Sequence, residues 1–460
     1  MSFPKYEHYK DSGVEWLGEV PAHWAVDRLK ASIFSSRNGI WGDEAKNDES
    51  DLVCIRVADF DRQSLTIKVG EKTIRNITEK ERVGRLLRNG NLLLEKSGGG
   101  ESQPVGCVVL YDSDEPAVCS NFVARVELAD GMDPAYWRYL HFAAYSVRLT
   151  VGSINQTSGI QNLDQDRYFN ERACFPPLKE QQAISCFLAR ETTKLDALIT
   201  EQRTLIDLLK EKRQAVISHA VTKGLDPRVP MKDSGVEWLG EVPAHWELSR
   251  LKFVASVQTG MAKGKEYGDQ ETIEVPYLRV ANVQDGYLAL DNMAMMEIPV
   301  TDLARYRLQP GDVLMNEGGD FDKLGRGHVW QGEIDPCIHQ NHVFAVRPIG
   351  VSPEWLNSYT GTIAAQFYFM TRSKQSTNLA SISSTNIMEL PLLVPPLEER
   401  VKIIEFVAQE KSRLDELTAE AQTTIALLQE RRSALISAAV TGKIDVRGRA
   451  LKEEIMTKPA

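Results

Sequence analysis

The sequence predicts an α+β protein built from two copies of one unit. A 15-residue string, KDSGVEWLGEVPAHW, occurs at Lys10–Trp24 and returns letter for letter at Lys232–Trp246. After each copy comes a stretch of mixed helix and strand pattern, and after each mixed stretch comes a long segment without Gly or Pro. Local folding rules do not produce such an identity, so the chain is a tandem duplication. Its 460 residues suffice for two or more domains.

Composition is that of a soluble globular protein, with 42% hydrophobic and 26% charged residues. No apolar run approaches the length of a membrane span, and the start, MSFPKYEHYKDSG, lacks the apolar core of a signal peptide. The six cysteines are scattered without a CxxC pair, so we expect reduced thiols and a cytoplasmic protein. The net charge of −10 argues mildly against nucleic acid as a partner, although local fields matter more than the total.

The repeated string contains Gly13, Gly18 and Pro21. Because glycine and proline interrupt regular helix, they predict turns and short extended segments here. It also holds Trp16 and Trp24, whose large rings are costly to leave in water. We expect these rings to dock on a neighbouring helix; the alternative is a patch that binds a partner.

The first mixed stretch contains short strand patterns bounded by Gly, Asn and Asp, at Leu52–Phe60, Asn91–Gly100, Gly106–Asp112 and Asn121–Leu128. A proline-led helix is predicted at Pro134–Leu149. The run that follows, Val151–Asn162, is rich in amide and hydroxyl side chains, and no acid appears from Tyr145 to Leu163. Taken alone, such a run is typical of a solvated loop.

Long helices follow two proline pairs. After Pro176–Pro177, apolar residues recur in steps of three, four and seven from Leu188 to Val216, which predicts one helix from Leu178 to about Val221. At 1.5 Å per residue, a helix of about 44 residues is about 65 Å long. The stripe of apolar residues along it, called the seam, needs another helix to bury it. A second such helix is predicted after the second pair, from Leu397 to about Val440.

Between these connectors, the second mixed stretch repeats the first only at landmarks. Arg-Val-Ala recurs at Arg56–Ala58 and Arg279–Ala281, a proline-led helix recurs at Pro353–Met370, and a second acid-free polar run spans Thr371–Asn386. The repeated strings and the long helices are alike in the two copies, whereas the two mixed stretches, called the first and second body, differ. This pattern indicates one shared partner and two different targets.

In this order of segments, the chain resembles the DNA-specificity subunit of Type I restriction–modification enzymes. The residues that carry the likeness are DSGVEWLGEVPAHW in both copies, GDVLM at Gly311–Met315, PPLKEQQAI at Pro176–Ile184 and PPLEERVKII at Pro395–Ile404. The likeness covers essentially the full chain, and its double occurrence makes it specific.

The resemblance implies two target-recognition domains, each reading half of a split DNA sequence, separated by two long antiparallel coiled-coil helices with internal pseudo-twofold symmetry. It implies double-stranded DNA, two methyltransferase subunits and, in the restricting complex, two motor-nuclease subunits as partners, and no membrane. The chain itself is expected to be non-catalytic and without a cofactor, while the partners use S-adenosylmethionine, ATP and Mg²⁺. From the helix length we expect a non-specific spacer of about 5–9 base pairs.

The predicted domain boundaries follow the repeats. They are the first repeat string at 1–30, the first target-recognition domain at 31–172, the first long helix at 173–226, the second string at 227–252, the second target-recognition domain at 253–390, the second long helix at 391–446 and a tail at 447–460.

Candidate DNA-binding residues are chosen by chemistry, because no motif fixes base contacts. Amides and hydroxyls suit adenine and phosphate, Arg and Lys suit guanine and phosphate, and glycine lets the backbone approach phosphate closely. In the first body the candidates are Ser97, Gly98, Gly99, Gly100, Ser102, Gln103, Arg148, Ser153, Asn155, Gln156, Thr157 and Ser158. In the second body they are Lys323, Arg326, Arg372, Lys374, Gln375, Ser376, Thr377 and Asn378.

Catalytic interpretations find little support. A methyltransferase cofactor loop and a GxxxxGK[ST] phosphate loop are both missing from the sequence. Glu44-Ala45-Lys46 behind Asp43 is the one local nuclease-like pattern, and Glu-x-Lys is common on protein surfaces. A stand-alone endonuclease therefore lacks a paired carboxylate motif.

A zinc site is another alternative to DNA binding without a metal. Cys337, His339 and His342, which are types of residue that bind zinc, lie close together in sequence, and His328 is nearby. Only the second copy has them, and strand alternation would place them on different faces, so we favour a polar strand edge. On the long helices, Lys212 and Arg431 are predicted beside the seam. The chief functional alternative is a duplicated coiled-coil scaffold that assembles other proteins without reading DNA.

Overall fold

A computed structural model describes residues 3–448 except 158, 265, 320–323, 326 and 376–379, and only the backbone of residue 157. Helix and strand are both abundant, at 37% and 28% of residues, so the fold belongs to the mixed class that the sequence predicts. The described chain forms two compact units. The first combines residues up to 203 with those from 423 onward, and the second spans residues 204–422.

The first unit contains short strands that make its sheets. They are β1 (Tyr9–Asp11), β2 (Glu19–Pro21), β3 (Ala25–Arg28), β4 (Ile33–Asn38), β5 (Asp43–Glu44), β6 (Asp51–Ile55), β7 (Phe60–Asp61), β8 (Thr66–Ile67), β9 (Thr73–Asn76), β10 (Asn91–Glu95), β11 (Ser97–Gly98), β12 (Val108–Tyr111), β13 (Ala117–Cys119), β14 (Val123–Leu128), β15 (Ile154–Thr157), β16 (Ile160–Leu163) and β17 (Arg172–Phe175).

The second unit has a matching series. Its strands are β18 (Met231–Asp233), β19 (Glu241–Pro243), β20 (Glu247–Arg250), β21 (Ala255–Thr259), β22 (Thr272–Leu278), β23 (Val283–Gln284), β24 (Tyr287–Leu288), β25 (Ala294–Pro299), β26 (Val313–Asn316), β27 (Gly318–Gly319), β28 (Gly327–Val329), β29 (Ile338–His339), β30 (Val343–Pro348), β31 (Lys374–Gln375), β32 (Ala380–Ser381) and β33 (Pro391–Val394).

Helices of very different length accompany the strands. The α-helices are α1 (Glu79–Arg82), α2 (Pro134–Ser146), α3 (Gln165–Phe169), α4 (Leu178–Lys223), α5 (Val300–Tyr306), α6 (Pro353–Thr360), α7 (Ile363–Arg372), α8 (Ser384–Met388) and α9 (Leu397–Val440). Short 3-10 turns lie at Leu29–Ser32, Val57–Asp59, Leu149–Ser153, Leu251–Phe253 and Val280–Asn282.

The main sheet has the same strand order in both units. In the first unit it runs β12-β10-β14-β4, and in the second it runs β28-β26-β30-β21, with all neighbours antiparallel. Leu94 pairs with Ala124 in the first sheet, as Met315 pairs with Phe344 in the second. Corresponding residues of β10 and β26 are therefore offset by 221 positions (94 + 221 = 315).

The proline-led helix α2 packs its aromatic residues into the first core. Asp133 caps it by accepting a hydrogen bond from the Tyr136 backbone N–H at 3.1 Å, and Pro134 occupies the first turn, where its missing N–H costs nothing. The helix ends at Ser146, three residues earlier than predicted, because Arg148 adopts a left-handed conformation at φ 59°.

The corresponding helix of the second unit is interrupted, which corrects the prediction of one helix over Pro353–Met370. α6 ends at Thr360, Gly361 follows, and Thr362 caps a separate helix, α7, by accepting from the Ala365 backbone N–H at 3.0 Å. A hydroxyl that caps a new helix start competes with continuation of the old helix, which explains the break.

Docking of the repeated string on a helix is confirmed for Trp24 in the first unit, whereas Trp16 is half-buried and its indole N–H donates to the Arg172 carbonyl oxygen of β17 at 3.0 Å. Trp24 is fully buried, and its indole N–H donates to Glu180 Oε2 on α4 at 3.0 Å. His23 contacts the other oxygen of the same carboxylate at 2.7 Å. In the second unit, Trp246 is likewise buried and His245 lies 2.7 Å from Glu399 on α9. The strings therefore fasten to the beginnings of the long helices.

Both long helices begin where predicted, at Leu178 and Leu397; α4 ends two residues beyond the predicted Val221. The charges beside the seam are one position away from those predicted. Lys212 and Arg431 are exposed. Their successors make the contacts between helices: Arg213 Nη1 lies 3.3 Å from Asp415 in the second unit, and Arg432 contacts Asp196 in the first. Among the described helices, none combines the length and apolar character that a membrane span requires.

Candidate nucleic-acid interface

The polar run of the first unit forms a β-hairpin, where the sequence alone favoured a loop. β15 and β16 pair antiparallel, and β16 also pairs with the glycine-led strand β11, which gives a three-stranded sheet in the order β11-β16-β15. Leu163 is buried while Asn155 and Asn162 are exposed, so the pleat separates an anchoring face from a polar face. The sheet thus joins two groups of candidate residues that are far apart in sequence.

Side-chain hydrogen bonds fix this sheet. Ser97 Oγ donates to Asn162 Oδ1 at 2.6 Å, and the buried Gln161 amide oxygen accepts from the Val105 backbone N–H at 3.2 Å. Gly99 has φ +60°, and a Cβ there would lie 2.8 Å from the Val105 nitrogen, so only glycine fits. The glycines therefore allow a tight approach of backbone to backbone at the sheet's edge.

The second unit has the same construction. β27, β32 and β31 form a three-stranded sheet, with Gly318 opposite Ser381 and Ser381 opposite Lys374. The Ile382 backbone N–H donates to the Glu317 carbonyl at 2.9 Å, as the Leu163 N–H donates to the Lys96 carbonyl at 2.7 Å in the first unit. Each unit therefore presents a small polar sheet at the same place in its fold.

The structure brings most of the described candidate residues to these two sheets or to the segments beside them. Exposed candidates are Gly99, Ser102, Gln103, Arg148, Asn155, Gln156, Arg372, Lys374 and Gln375, and half-buried ones are Ser97, Gly98 and Gly100. Ser158, Lys323, Arg326, Ser376, Thr377 and Asn378 lie outside the described residues, as does the side chain of Thr157.

Ser153 is a correction to the candidate set. Its side chain is fully buried in the 3-10 turn before β15, so its hydroxyl is not available to a DNA molecule at the surface. A serine within a polar run gives no sequence signal that distinguishes an inward-facing turn position from an exposed one.

A basic and amide-rich cluster beside the first sheet escaped the sequence analysis. Lys96 Nζ donates to Asn38 Oδ1 at 2.6 Å, and Gln165 Nε2 donates to the same oxygen at 3.1 Å. Arg37 and Arg85 line the same depression, whose volume is about 610 Å³. Burial lowers the pKa of the Lys96 ammonium. These residues come from four separate segments, and only Lys96, next to the glycine run, carried a local signal.

The second unit differs at the corresponding position. Lys96 matches Glu317 (96 + 221 = 317), whose carboxylate lies 2.7 Å from His342 Nδ1. One surface therefore presents an amine where the other presents an acid–imidazole pair. An amine donates hydrogen bonds and a carboxylate accepts them, so the two surfaces differ in hydrogen-bonding character.

The residues weighed for zinc have other partners. His339 is buried and its Nδ1 lies 2.7 Å from the Val343 carbonyl oxygen, while His342 faces Glu317. Burial raises the pKa of the Cys337 thiol to about 12, which disfavours the thiolate that binds metal. Within the described residues, no group of three or more His, Cys, Asp or Glu side chains is placed to hold a metal ion.

The nuclease-like pattern forms a surface ion pair. Lys46 Nζ lies 3.4 Å from Asp43 Oδ2, and both side chains are mostly exposed. Asp43 and Glu44 form the edge strand β5, so their side chains point to opposite faces and do not converge on one ion.

Comparison with known proteins gives one consistent group. The chain is 23% identical over 326 residues to the Type I restriction enzyme EcoKI specificity subunit of Escherichia coli strain K12, covering 69% of this chain and 67% of that protein. It is 21% identical over 321 residues to the StySPI specificity subunit of Salmonella potsdam, again covering 69% and 67%. No family model matches the chain.

Solved structures show the same fold. A chain from a structure describing complex assembly and conformational transition of the Type I restriction–modification system matches with a TM-score of 0.62 and 18% identity, covering 92% of this chain and 98% of that one. The HsdS subunit from Thermoanaerobacter tengcongensis matches with a TM-score of 0.50 and 16% identity over the same shares. Sequence and fold together confirm the resemblance of the chain to the specificity subunits of Type I restriction enzymes.

Proposed function

We propose that this chain is the subunit that reads DNA sequence for a Type I restriction–modification complex in the cytoplasm. It binds a bipartite, asymmetric site on double-stranded DNA and directs adenine methylation and DNA cleavage by its partners. The observation that carries the proposal is the pair of polar sheets, which share one construction while the residues beside them differ in chemistry, as at Lys96 and Glu317.

The duplicated architecture accounts for a split site. We propose that the two bodies are target-recognition domains related by an internal pseudo-twofold axis, with α4 and α9 as an antiparallel coiled coil that holds them apart. Contacts inside the first unit support this arrangement. Glu180, near the start of α4, lies 3.8 Å from Arg447 beyond the end of α9, while Asp196, farther along α4, contacts Arg432, which comes earlier in the chain.

Catalysis is assigned to the partners. We propose two methyltransferase subunits that use S-adenosylmethionine and, for cleavage, two motor-nuclease subunits that use ATP and Mg²⁺, with no cofactor in this chain. The exposed leucines of the helices, including Leu198, Leu205 and Leu417, supply apolar area of the kind that subunit docking buries.

The proposal is tested by DNA selection. The chain is assembled with its methyltransferase partner, incubated with a randomised duplex library, and the retained DNA is sequenced. The proposal predicts enrichment of one split motif with two different halves and a fixed gap. A scaffold without DNA specificity, which the net charge of −10 favours slightly, predicts retained DNA with no motif although the complex is assembled.

A further inference from the structure

One residue in each unit links the main sheet to the polar sheet. Lys96 follows β10 and precedes β11 in the first unit, and Glu317 follows β26 and precedes β27 in the second. The side chain at this position therefore starts beside the polar sheet, which by the proposed function faces DNA.

The backbone holds this residue in the same way in both units. The Lys96 N–H donates to the Phe122 carbonyl at 2.8 Å, and the Glu317 N–H donates to the His342 carbonyl at 2.9 Å. The carbonyl of each accepts from an N–H on the polar-sheet side, at 2.7 Å for Lys96 and 2.9 Å for Glu317. The two side chains therefore start from equivalent points of the fold, although one is a cation and the other an acid.

In the first unit, this side chain is held as a hydrogen-bond donor. Lys96 Nζ donates to Asn38 Oδ1 at 2.6 Å, and Gln165 Nε2 donates to the same oxygen at 3.1 Å. The Gln165 amide oxygen in turn accepts from the Ser36 hydroxyl at 2.8 Å. Because both amide oxygens already have donors, the groups that this cluster offers to a ligand are the remaining N–H groups of the ammonium and the amides.

The charge of Lys96 is not neutralised locally. Within the described residues, Lys96 Nζ has the neutral Asn38 oxygen as its hydrogen-bond partner and no ion-paired carboxylate. Burial lowers the pKa of this ammonium, and no neighbouring acid offsets that effect. Asp164 and Asp166 line the same depression, so what distinguishes the site is the direction of its hydrogen bonds and not its net charge.

In the second unit, the equivalent side chain is an acceptor. Glu317 Oε2 lies 2.7 Å from His342 Nδ1, and since an ionised carboxylate only accepts, the imidazole is the donor. The Glu317 side chain is 28% exposed. Among the described residues, its second oxygen, Oε1, has no hydrogen-bond partner, so it is available to a donor on a ligand.

We propose that Lys96 and Glu317 each read one base in the major groove, Lys96 by donating to O6 and N7 of a guanine and Glu317 by accepting from N4 of a cytosine. This assignment rests on the proposed function and names one base in each half-site. A phosphate contact fits the pair less well. Two surfaces that are built alike approach the duplex alike, so a position that contacts the DNA backbone would be basic in both units, whereas Glu317 is an acid.

The first test compares DNA selections from a randomised duplex library by the complex of this chain with its methyltransferase partner. Lys96→Met keeps an unbranched side chain but has no N–H. We expect the wild type to prefer guanine about tenfold or more at one position of the first half-site, and the variant to lose that preference while the second half stays the same. Lys68→Met is the matched control, because the exposed Lys68 ammonium also donates to a neutral oxygen, the Ala58 carbonyl at 2.8 Å. The control should select the wild-type motif.

The second test changes the other half-site. Glu317→Gln replaces an acceptor by an amide that accepts and donates, which is the pattern that adenine matches. We expect one position of the second half to change its preference from cytosine to adenine, with the first half unchanged. A residue that only supports the fold would weaken binding without exchanging one base for another.

A variant that assembles with the partner and selects the wild-type motif overturns the assignment of its residue. Lys96→Met would also overturn guanine reading if it weakened binding to all sequences equally and lowered the salt slope by about one, since that is the behaviour of a phosphate contact. If Lys96→Met does not assemble, Asn38→Ala tests the same position, because it removes the exposed group that holds the ammonium. Asn38→Ala should reduce the same guanine preference, and an unchanged preference would overturn the assignment.

The wild-type selection separates this proposal from the function on which it rests. If the wild-type complex selects no motif, DNA reading itself is overturned, and the two base assignments with it. If the wild type selects a split motif that survives both Lys96→Met and Glu317→Gln, DNA reading stands and only the base assignments are overturned.

Discussion

Arg432 and Asp196 join the two long helices inside the first unit, with Arg432 Nε 3.0 Å from Asp196 Oδ1. The Arg432 side chain is 7% exposed and that of Asp196 25%. The same carboxylate oxygen accepts a hydrogen bond from the Gln63 side-chain amide, and Gln63 lies in the turn between β7 and β8 of the first unit. One carboxylate therefore ties both helices to the body that they carry.

Removing that carboxylate should be costly. Asp196→Ala leaves the Arg432 guanidinium buried without its counter-charge, and we expect the free energy of unfolding to fall by about 3 kcal/mol. Asp415→Ala is the matched control, because Asp415 and Arg213 are 50% and 33% exposed and such pairs contribute below about 1 kcal/mol. Urea unfolding measures the free energy of unfolding of both variants. Equal losses in the two variants would contradict the expectation that the buried pair contributes more than the exposed one.

Stability should fall in mild acid because of His141. Burial lowers the pKa of this imidazole from 6.5 to about 4, and its Nδ1 lies 2.7 Å from the Tyr168 hydroxyl. The unfolded chain therefore takes up a proton below pH 6.5 that the folded chain does not, so stability is full above that pH and is lost as pH falls toward 4.

The expected loss from this group is about 3 kcal/mol over that range. His141→Gln keeps a polar side chain but cannot titrate, so its unfolding free energy should depend less on pH than that of the wild type. Urea titrations across the range give the difference. An identical pH dependence in both proteins would show that His141 does not contribute.

Single substitutions beside the first polar sheet and on the second should act on one half-site each. Arg148→Ala should weaken binding through the first half of the motif and Lys374→Ala through the second, with the salt slope falling by about one if the lost contact is to phosphate. Ser153→Ala is the control, since Ser153 is buried. Fluorescence anisotropy with duplexes altered in one half at a time measures this; equal effects on both halves would contradict the assignment.

The glycines beside β11 should differ in their importance for DNA binding, because a side chain is excluded at one position and tolerated at the next. Gly99→Ala places a Cβ 2.8 Å from the Val105 nitrogen at φ +60°, which should displace the edge of the sheet and reduce DNA affinity by about tenfold or more. Gly100→Ala meets no atom within 4 Å and has no left-handed φ, so it should bind DNA like the wild type. Similar affinity of the two variants would argue against a role for this edge.

Sequence reasoning succeeded where the signal is local. The seam of α4 and the proline pair before it fixed the helix start at Leu178, since periodicity and helix breakers act within a few residues. The dock of Trp24 followed from the cost of exposing indole. The shared string and the shared landmarks likewise predicted that the two bodies would match.

The sequence did not predict the contacts that depend on pairing between segments far apart in the chain. The run after Arg148 reads as a loop, but β16 pairs with β11, so that Ser97 meets Asn162 across 65 residues of chain. The cluster of Asn38, Lys96 and Gln165 is assembled in the same way from distant segments. Polar side chains give no periodicity from which such contacts could be read.

The most direct test of the central claim is a map of methylated adenines in cells that make this chain with its methyltransferase partner, compared with cells that make the partner alone. The account predicts a split motif with two unlike halves that is methylated only when this chain is present. Identical maps, with the complex assembled in the first cells, would contradict DNA reading and leave the duplicated chain as a scaffold.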